Sequence, residues 1–346
     1  MRKKTIVVKV KDVLIGGSNP VVVQTMTKTN TVDVEATVKQ IKEVEKIGCK
    51  IVRVAVPNFE AALAVKEIKK RVNAAIVADV HFDYKLAIES IKNGADKIRI
   101  NPANIGGVDK LKEVIKVAKD YNIPVRIGVN AGSYKKKLSK LKQKVLSEVD
   151  KFVDVFEKMD FKQIVISAKT ADVVSNIDVY TSLAERYRYP LHLGITEAGP
   201  LLWGSIKSAL GIGILLWQGI GDTIRVSLSC EPVDEVKVGY FILQCLELGK
   251  FGIDLISCPT CGRTKVPLFE IVEKFQKKIK EENLEYKPIK VAIMGCEVNG
   301  PGEASSADVG IAMGKNFGVL FVKGKIVKKI DINNCVDELV EYIKKF

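Results

Sequence analysis

The sequence predicts an α/β chain: a (β/α)8 TIM barrel over residues 1–250, followed by a smaller α+β domain over 251–346. Three observations carry that reading. Eight short β-branched runs recur through the first 230 residues, amphipathic helical segments separate them, and the alternation breaks at Gly249 and Gly252, just ahead of a cysteine-bearing loop. A chain of 346 residues suits a barrel of roughly 250 residues with a second unit behind it.

The first segment, MRKKTIVVKVKDVLIGG, opens with basic residues, but Lys9 and Lys11 interrupt its apolar run before a secretory core could form, so it reads as alternating strand. The barrel runs follow in order: PVVVQTMT, KIVRVAVP, AAIVADVHFD, DKIRINPA, IPVRIGVNAG, KQIVISAKT, PLHLGITEAG and DTIRVSLS. Segments such as VEATVKQIKEVEKIG, FEAALAVKEIKKRV and DKLKEVIKVAKDY repeat their apolar residues at helical spacing, and DEVKVGYFILQCLELG supplies the eighth helix. An open doubly wound sheet would call for G-x-G-x-x-G after its first strand, and none is there. The longest apolar stretch, ALGIGILLW, falls well short of the roughly 20 residues that span a bilayer. The expectation is a soluble, cytoplasmic protein with no membrane partner.

A net charge of +14 raises nucleic acid as a partner, yet aromatics make up only 7% and no basic stripe is interleaved with them. No nucleic-acid partner is expected. The one dense basic run, YKKKLSKLKQK at 134–144, reads as a solvated helix face. Seven cysteines without an export signal point to metal or catalytic use rather than disulfides. Cys49, Cys230, Cys245 and Cys335 stand singly and read as small buried hydrophobes, which leaves Cys258, Cys261 and Cys296.

In such barrels chemistry sits at the carboxyl ends of the strands. The chain has nine arginines, and Arg53, Arg99, Arg126 and Arg225 fall within the predicted strands. A guanidinium offers a planar fork to phosphate oxygens that an ammonium cannot imitate. Period-two alternation then groups Arg99 with Asn101, Ser167 with Lys169, Asp79 with His81, and Arg225 with Ser227 and Ser229. Asn130 lies just past the fifth run, and Thr196 and Glu197 end the seventh. The mouth reads as a ring of donors around a multiply anionic small molecule of diphosphate size. His81 suits an anion ligand or a proton carrier, whereas His192, deep in its strand, reads as structural.

The second domain opens with IDLISCPTCGRT, and MGCEVNGPGE follows. A C-x-x-C turn lets Cys258 and Cys261 grip one metal centre, and Cys296 adds a third thiolate. No histidine lies in this domain, so Glu297 and Glu303 are the candidates for a fourth ligand. Two readings stay open on spacing alone: a reactive 4Fe-4S cluster with one exchangeable oxygen ligand, or a zinc held by three thiolates and a carboxylate.

ADVHFD, IRINPANIG, ISAKT, GITEAG, SCPTCGRT and CEVNGPGEASSADVGIA, in this order, closely resemble the bacterial 4-hydroxy-3-methylbut-2-enyl diphosphate synthases of the IspG type. The resemblance spans essentially the whole chain. It implies a 4Fe-4S cluster held by Cys258, Cys261, Cys296 and Glu303, with Asn299 beside it. It implies 2-C-methyl-D-erythritol 2,4-cyclodiphosphate as substrate, its diphosphate held by Arg53, Arg99, Arg126, Lys169, Arg225, Ser227 and Ser229 with help from Asn101, Asn130 and Thr196. Glu197 then acts as proton donor to the departing oxygen, and ferredoxin or flavodoxin supplies electrons. The rivals are a barrel enzyme for another phosphorylated or pterin-like substrate with a structural zinc tail, and a zinc-bearing RNA-binding protein.

One expectation concerns assembly. The eighth helix returns from the carboxyl face of the barrel to the opposite face, and GKFG reaches at most about 14 Å, too short to carry the second domain back. A cluster that meets the substrate would then belong to another copy, in a head-to-tail homodimer with shared sites.

Overall fold

The computed structural model describes residues 2–130, 138–296 and 306–346. It divides into two compact units, Met1–Gly249 and Lys250–Phe346.

The first unit begins with a hairpin, β1 (Val8–Val10) paired antiparallel with β2 (Val13–Ile15). Eight parallel strands follow: β3 (Val22–Met26), β4 (Ile51–Ala55), β5 (Ala75–Val80), β6 (Lys97–Ile100), β7 (Val125–Asn130), β8 (Ile164–Lys169), β9 (His192–Leu193) and β10 (Thr223–Ile224). They stand in the order β8-β7-β6-β5-β4-β3-β10-β9, and a parallel bridge between Ile166 and Leu191 joins the two ends. This is the expected barrel. Its helices are α1 (Val34–Lys46), α2 (Phe59–Arg71), α3 (Tyr84–Lys92), α4 (Val108–Asp120), α5 (Leu138–Lys158), α6 (Val173–Arg186), α7 (Leu201–Trp217) and α8 (Pro232–Cys245).

Local chemistry explains where the helices start. Asp33, Asn58, Asp83 and Asp172 accept backbone N–H groups at the first turns of α1, α2, α3 and α6, satisfying donors that have no partner within the helix. The apolar stripe of α1, Val38, Ile41 and Val44, is buried as its spacing requires. The N-terminal hairpin plugs the barrel floor: Val8, Val10 and Ile15 pack with Ile51, Ala75, Val77 and Val165.

Two expectations need correction. The seventh and eighth runs form strands of only two residues each, so Thr196, Glu197, Arg225, Ser227 and Ser229 lie beyond the strand ends, on loops. The two chains stay close past the strand ends, with the Arg225 N–H on the Leu193 carbonyl at 3.0 Å, and Gly194 leaves room for the Lys169 amine where a Cβ would collide with it. Of the four single cysteines, Cys49 and Cys335 are buried, but Cys230, in the loop before α8, is half-buried and Cys245, the last residue of α8, is exposed. The lysine run lies partly outside the described residues; within α5, Lys142 pairs with Asp178 at 2.7 Å.

The second unit is one mixed sheet, β11 (Asp254–Ser257), β12 (Lys290–Met294), β13 (Val309–Met313), β14 (Gly318–Val322) and β15 (Lys325–Ile330), hydrogen-bonded in that order. The first three strands run parallel and the last two antiparallel. Helices α9 (Leu268–Glu281) and α10 (Cys335–Lys344) bury Phe275, Ile279, Leu339 and Ile343 in a core with Val291, Ile293 and Ile311.

Candidate functional site

Asp79 organises one side of the barrel mouth. It is 5% exposed at the inner end of β5, and its carboxylate accepts from Arg99 Nη1 at 3.1 Å and lies 3.7 Å from Arg53 Nε. His81 Nε2 stands 3.3 Å from the other oxygen and 2.9 Å from Arg99 Nη1. Burial alone would raise the Asp79 pKa, but Arg53, the His81 hydrogen bond and Arg99 together hold it far below the ordinary carboxylate range. The carboxylate is a fixed anion, and it aims two guanidinium forks. Burial brings Arg53 down to about 10, still a cation at neutral pH. Gly128 makes room for this arrangement, since a Cβ there would sit 2.5 Å from Arg99 Nε.

Arg126 and Lys169 are buried, and neither has a carboxylate partner among the described residues. Arg126 is 1% exposed, and its Nε and Nη1 have no hydrogen-bond partner among the described residues. Burial, then Arg53 and Arg99, disfavour its charge. A guanidinium does not release its proton under these conditions, so the site instead calls for an anion. Burial and then Arg225, Arg126, Arg53 and Arg99 act on Lys169 in the same direction.

Arg225 is held by a residue that sequence reasoning passed over. Glu235, on the first turn of α8 and 1% exposed, lies 3.3 Å from Arg225 Nη2 through both oxygens. It also accepts from Thr25 Oγ1 at 2.9 Å and from the Leu228 backbone N–H at 3.0 Å, with Lys28 Nζ at 3.6 Å. One carboxylate thereby fixes Arg225 and the loop that carries Ser227 and Ser229. A signal was available: Glu235 sits on the same α8 face as buried Val236, Gly239 and Leu243.

The remaining predicted residues divide. Asn101 lies one position past β6, its Oδ1 accepting from the Ala103 N–H at 3.2 Å. The backbone of Asn130 ends β7 in register with Lys169. Thr196 is tied by its N–H to the Thr170 carbonyl at 3.0 Å. Glu197 is exposed and holds a left-handed backbone, φ 54°, a conformation that non-glycine residues adopt at a cost. His192, read from its strand position as structural, is fully buried with Nδ1 2.7 Å from Thr223 Oγ1.

In the second unit the pairing of β11 with β12 matches Ser257 with Ile293, and the Cys258 N–H donates to the Ile293 carbonyl at 3.3 Å. Cys258, Cys261 and Cys296 therefore leave the same edge of two adjacent parallel strands. All three are free thiols; Cys258 and Cys296 are buried and Cys261 is exposed. Hydrogen bonding from the Arg263 backbone favours the Cys261 thiolate and lowers its pKa. Glu297, Asn299 and Glu303 lie outside the described residues, and among those described no three metal-binding side chains converge.

The description "GcpE TIM-barrel domain" fits residues 5–240, and "GcpE protein C-terminal domain" fits residues 254–345. The chain belongs to the GcpE family. That agrees with the resemblance read from the motifs. Among GcpE relatives, the 4-hydroxy-3-methylbut-2-en-1-yl diphosphate synthase (flavodoxin) of Caldanaerobacter subterraneus subsp. tengcongensis is 52% identical, covering 100% of this chain and 98% of its own. The protein of the same name from Ruminiclostridium cellulolyticum is 51% identical over 99% of this chain and 98% of its own. The GcpE barrel is also similar in fold to Yersinia pestis dihydropteroate synthase, with a TM-score of 0.52 at 13% identity over 70% of this chain and 100% of that one. Type I 3-dehydroquinate dehydratase from Clostridium difficile gives 0.53 at 15% identity, over 70% of this chain and 98% of that one. At such identity only the barrel is shared.

Proposed function

We propose that this GcpE protein converts 2-C-methyl-D-erythritol 2,4-cyclodiphosphate to 4-hydroxy-3-methylbut-2-enyl diphosphate, a step of isoprenoid biosynthesis. The observation that carries the reading is the end-to-end match, at 52% identity, to a protein bearing the product's name. The chemistry of the mouth supports it: Arg126 is a buried cation in need of an anion, with the Lys169 amine buried near it and Arg53, Arg99 and Arg225 already aimed by Asp79 and Glu235.

In the overall reaction the substrate takes up two electrons, a ring carbon–oxygen bond opens, and the neighbouring hydroxyl leaves as water. The donor set of the second unit suits an iron-sulfur cluster: three free thiols at one sheet edge, two of them buried, in a unit without imidazole. A 4Fe-4S cluster held by Cys258, Cys261, Cys296 and Glu303 would supply the electrons one at a time. The barrel residues do the rest. Arg53, Arg99, Arg126, Lys169, Arg225, Ser227 and Ser229 fix the diphosphate, with Asn101, Asn130 and Thr196 at the rim, so that only the carbon end is free to move. Glu197, exposed on its strained turn, gives its proton to the departing oxygen. His81, whose Nε2 reaches both Arg99 and Asp79, closes that corner of the mouth, and the family resemblance assigns Asn299 to the cluster.

Flavodoxin is the electron donor favoured by the relatives' names over ferredoxin. No helix among the described residues is long and apolar enough to cross a membrane, in keeping with a cytoplasmic enzyme. The protein works as a head-to-tail homodimer with shared sites. An apolar groove of about 950 Å³ between α7 and α8, lined by Leu202, Ile206, Trp217 and Phe241, offers a seat for the second copy.

Anaerobic incubation with the cyclic diphosphate and reduced flavodoxin tests the reaction: the linear allylic diphosphate should form in step with iron and sulfide content. A fully active, iron-free zinc protein would end the reading. Coexpressed Glu197→Ala and Cys258→Ser chains test the sharing. Recovered turnover in proven heterodimers supports sites built across subunits, and no recovery refutes them.

A further inference from the structure

Barrels of this kind ordinarily fill the space beneath the mouth with apolar layers. Here Gln24 on β3, Lys97 on β6, Arg126 on β7 and His192 on β9 are each at most 1% exposed. Lys97 Nζ, Arg126 Nε and Nη1, both amide atoms of Gln24 and His192 Nε2 have no hydrogen-bond partner among the described residues. Register sets Lys97 level with Val77 and Arg53, two residues below Arg99 on the same face of β6.

The charges around Lys97 can be named strand by strand. Arg99 shares its strand, and Arg53, Arg126 and Lys169 stand on β4, β7 and β8. Arg225 follows β10, and the charge of His192 on β9 is opposed first by burial and then by Arg126. Among the described residues the buried carboxylates are Asp79, Glu235 and Asp222, and all are taken: Asp79 on β5 by Arg99, Arg53 and His81, Glu235 on α8 by Arg225, Thr25 and the Leu228 N–H, and Asp222, just ahead of β10, by Thr5, the Leu191 N–H and Arg2. Asp96, beside Lys97 in sequence, turns to Lys69. Beneath lie Ile51, Ala75 and the apolar hairpin.

The arginines cannot release a proton in this setting, but a lysine amine can. We propose that Lys97 is an uncharged amine in the empty barrel and takes a proton from solvent when the diphosphate settles among the arginines above it. Substrate binding and protonation of Lys97 are then one coupled event, so the site gains a positive charge only when the anion is present. Burial first, then Arg126 and Arg53, push the Lys97 pKa well below the usual lysine range, in keeping with the resting state. The inference deepens the proposed function and rests on its diphosphate ligand.

Calorimetric titration of the cyclic diphosphate into anaerobically prepared, full-length protein without reductant tests the coupling. Run in two buffers of different ionisation enthalpy, wild type should take up about one proton per bound ligand and lose up to about tenfold in affinity per pH unit as pH rises. Lys97→Met should take up none and bind with little pH dependence. Equal uptake in both proteins, or binding by wild type without uptake, overturns the role of Lys97 and leaves the diphosphate reading intact. No binding at all overturns the diphosphate reading instead.

A second arm needs no ligand. Both tryptophans, Trp203 and Trp217, lie in the barrel, so their fluorescence follows its unfolding. If Lys97 is neutral when folded and protonated when unfolded, the unfolded chain binds the extra proton below the unfolded lysine pKa. Wild-type stability then rises with pH relative to Lys97→Met, by up to about tenfold in the folding constant per pH unit between neutrality and pH ~10. A ratio flat with pH overturns the uncharged resting state.

Discussion

The barrel mouth and the cysteine edge of the second unit reach their order by different routes. In the barrel, Asp79 and Glu235 hold Arg53, Arg99 and Arg225 through buried ion pairs, so the fold alone assembles the binding groups. In the second unit, strand pairing carries three thiols to one edge, but among the described residues no set of three closes around a metal. Under the proposed function, the difference teaches that the anion site is a product of folding, whereas the redox site is completed by what it binds.

The largest effects should come from the unit to which the proposal assigns the cluster. Cys258→Ser, Cys261→Ser or Cys296→Ser should abolish cluster retention and turnover, while Glu303→Ala should leave a cluster that assembles but is unstable. Iron content and absorbance read both, and equal occupancy in all four variants would remove these ligand assignments. Next, Glu197→Gln should lower kcat by about 10²- to 10⁴-fold with little change in substrate affinity, since its proton is needed only as the bond breaks. A loss confined to affinity would make Glu197 a binding residue.

Arg126→Ala should weaken substrate binding by roughly 2–4 kcal/mol, the cost of breaking a desolvated charge pair. Smaller still, Glu235→Gln should cost about 1–2 kcal/mol in affinity, because the amide keeps some hydrogen bonds but no longer counters Arg225. If Glu235→Gln cost more than Arg126→Ala, the aiming carboxylates would matter more than the unpaired cations, and the ranking within the mouth would reverse.

Much of this was legible in the sequence, and the exceptions share a cause. Arg53, Arg99, Arg126 and Lys169 could be placed because strand periodicity sets which face a residue takes, and the closed ring puts those faces inward. Periodicity failed at Arg225, Ser227 and Ser229, where β10 stops at Ile224 and the chain continues as loop. Glu235 was missed because its partner lies across a strand–helix junction, a tertiary contact that spacing does not encode. Lys97 was missed because a lysine ordinarily marks a solvated position, and only three-dimensional burial shows that this one has no water to face.

The contrast between the two units is tested most directly by titrating the cyclic diphosphate into metal-free, full-length Cys258→Ser protein. If the mouth is assembled by the fold alone, binding should persist within about tenfold of the loaded protein, a difference of no more than about 1.4 kcal/mol. Loss of measurable binding in a variant whose barrel is folded by tryptophan fluorescence would contradict it, and would mean that the cationic ring depends on the cluster for its order.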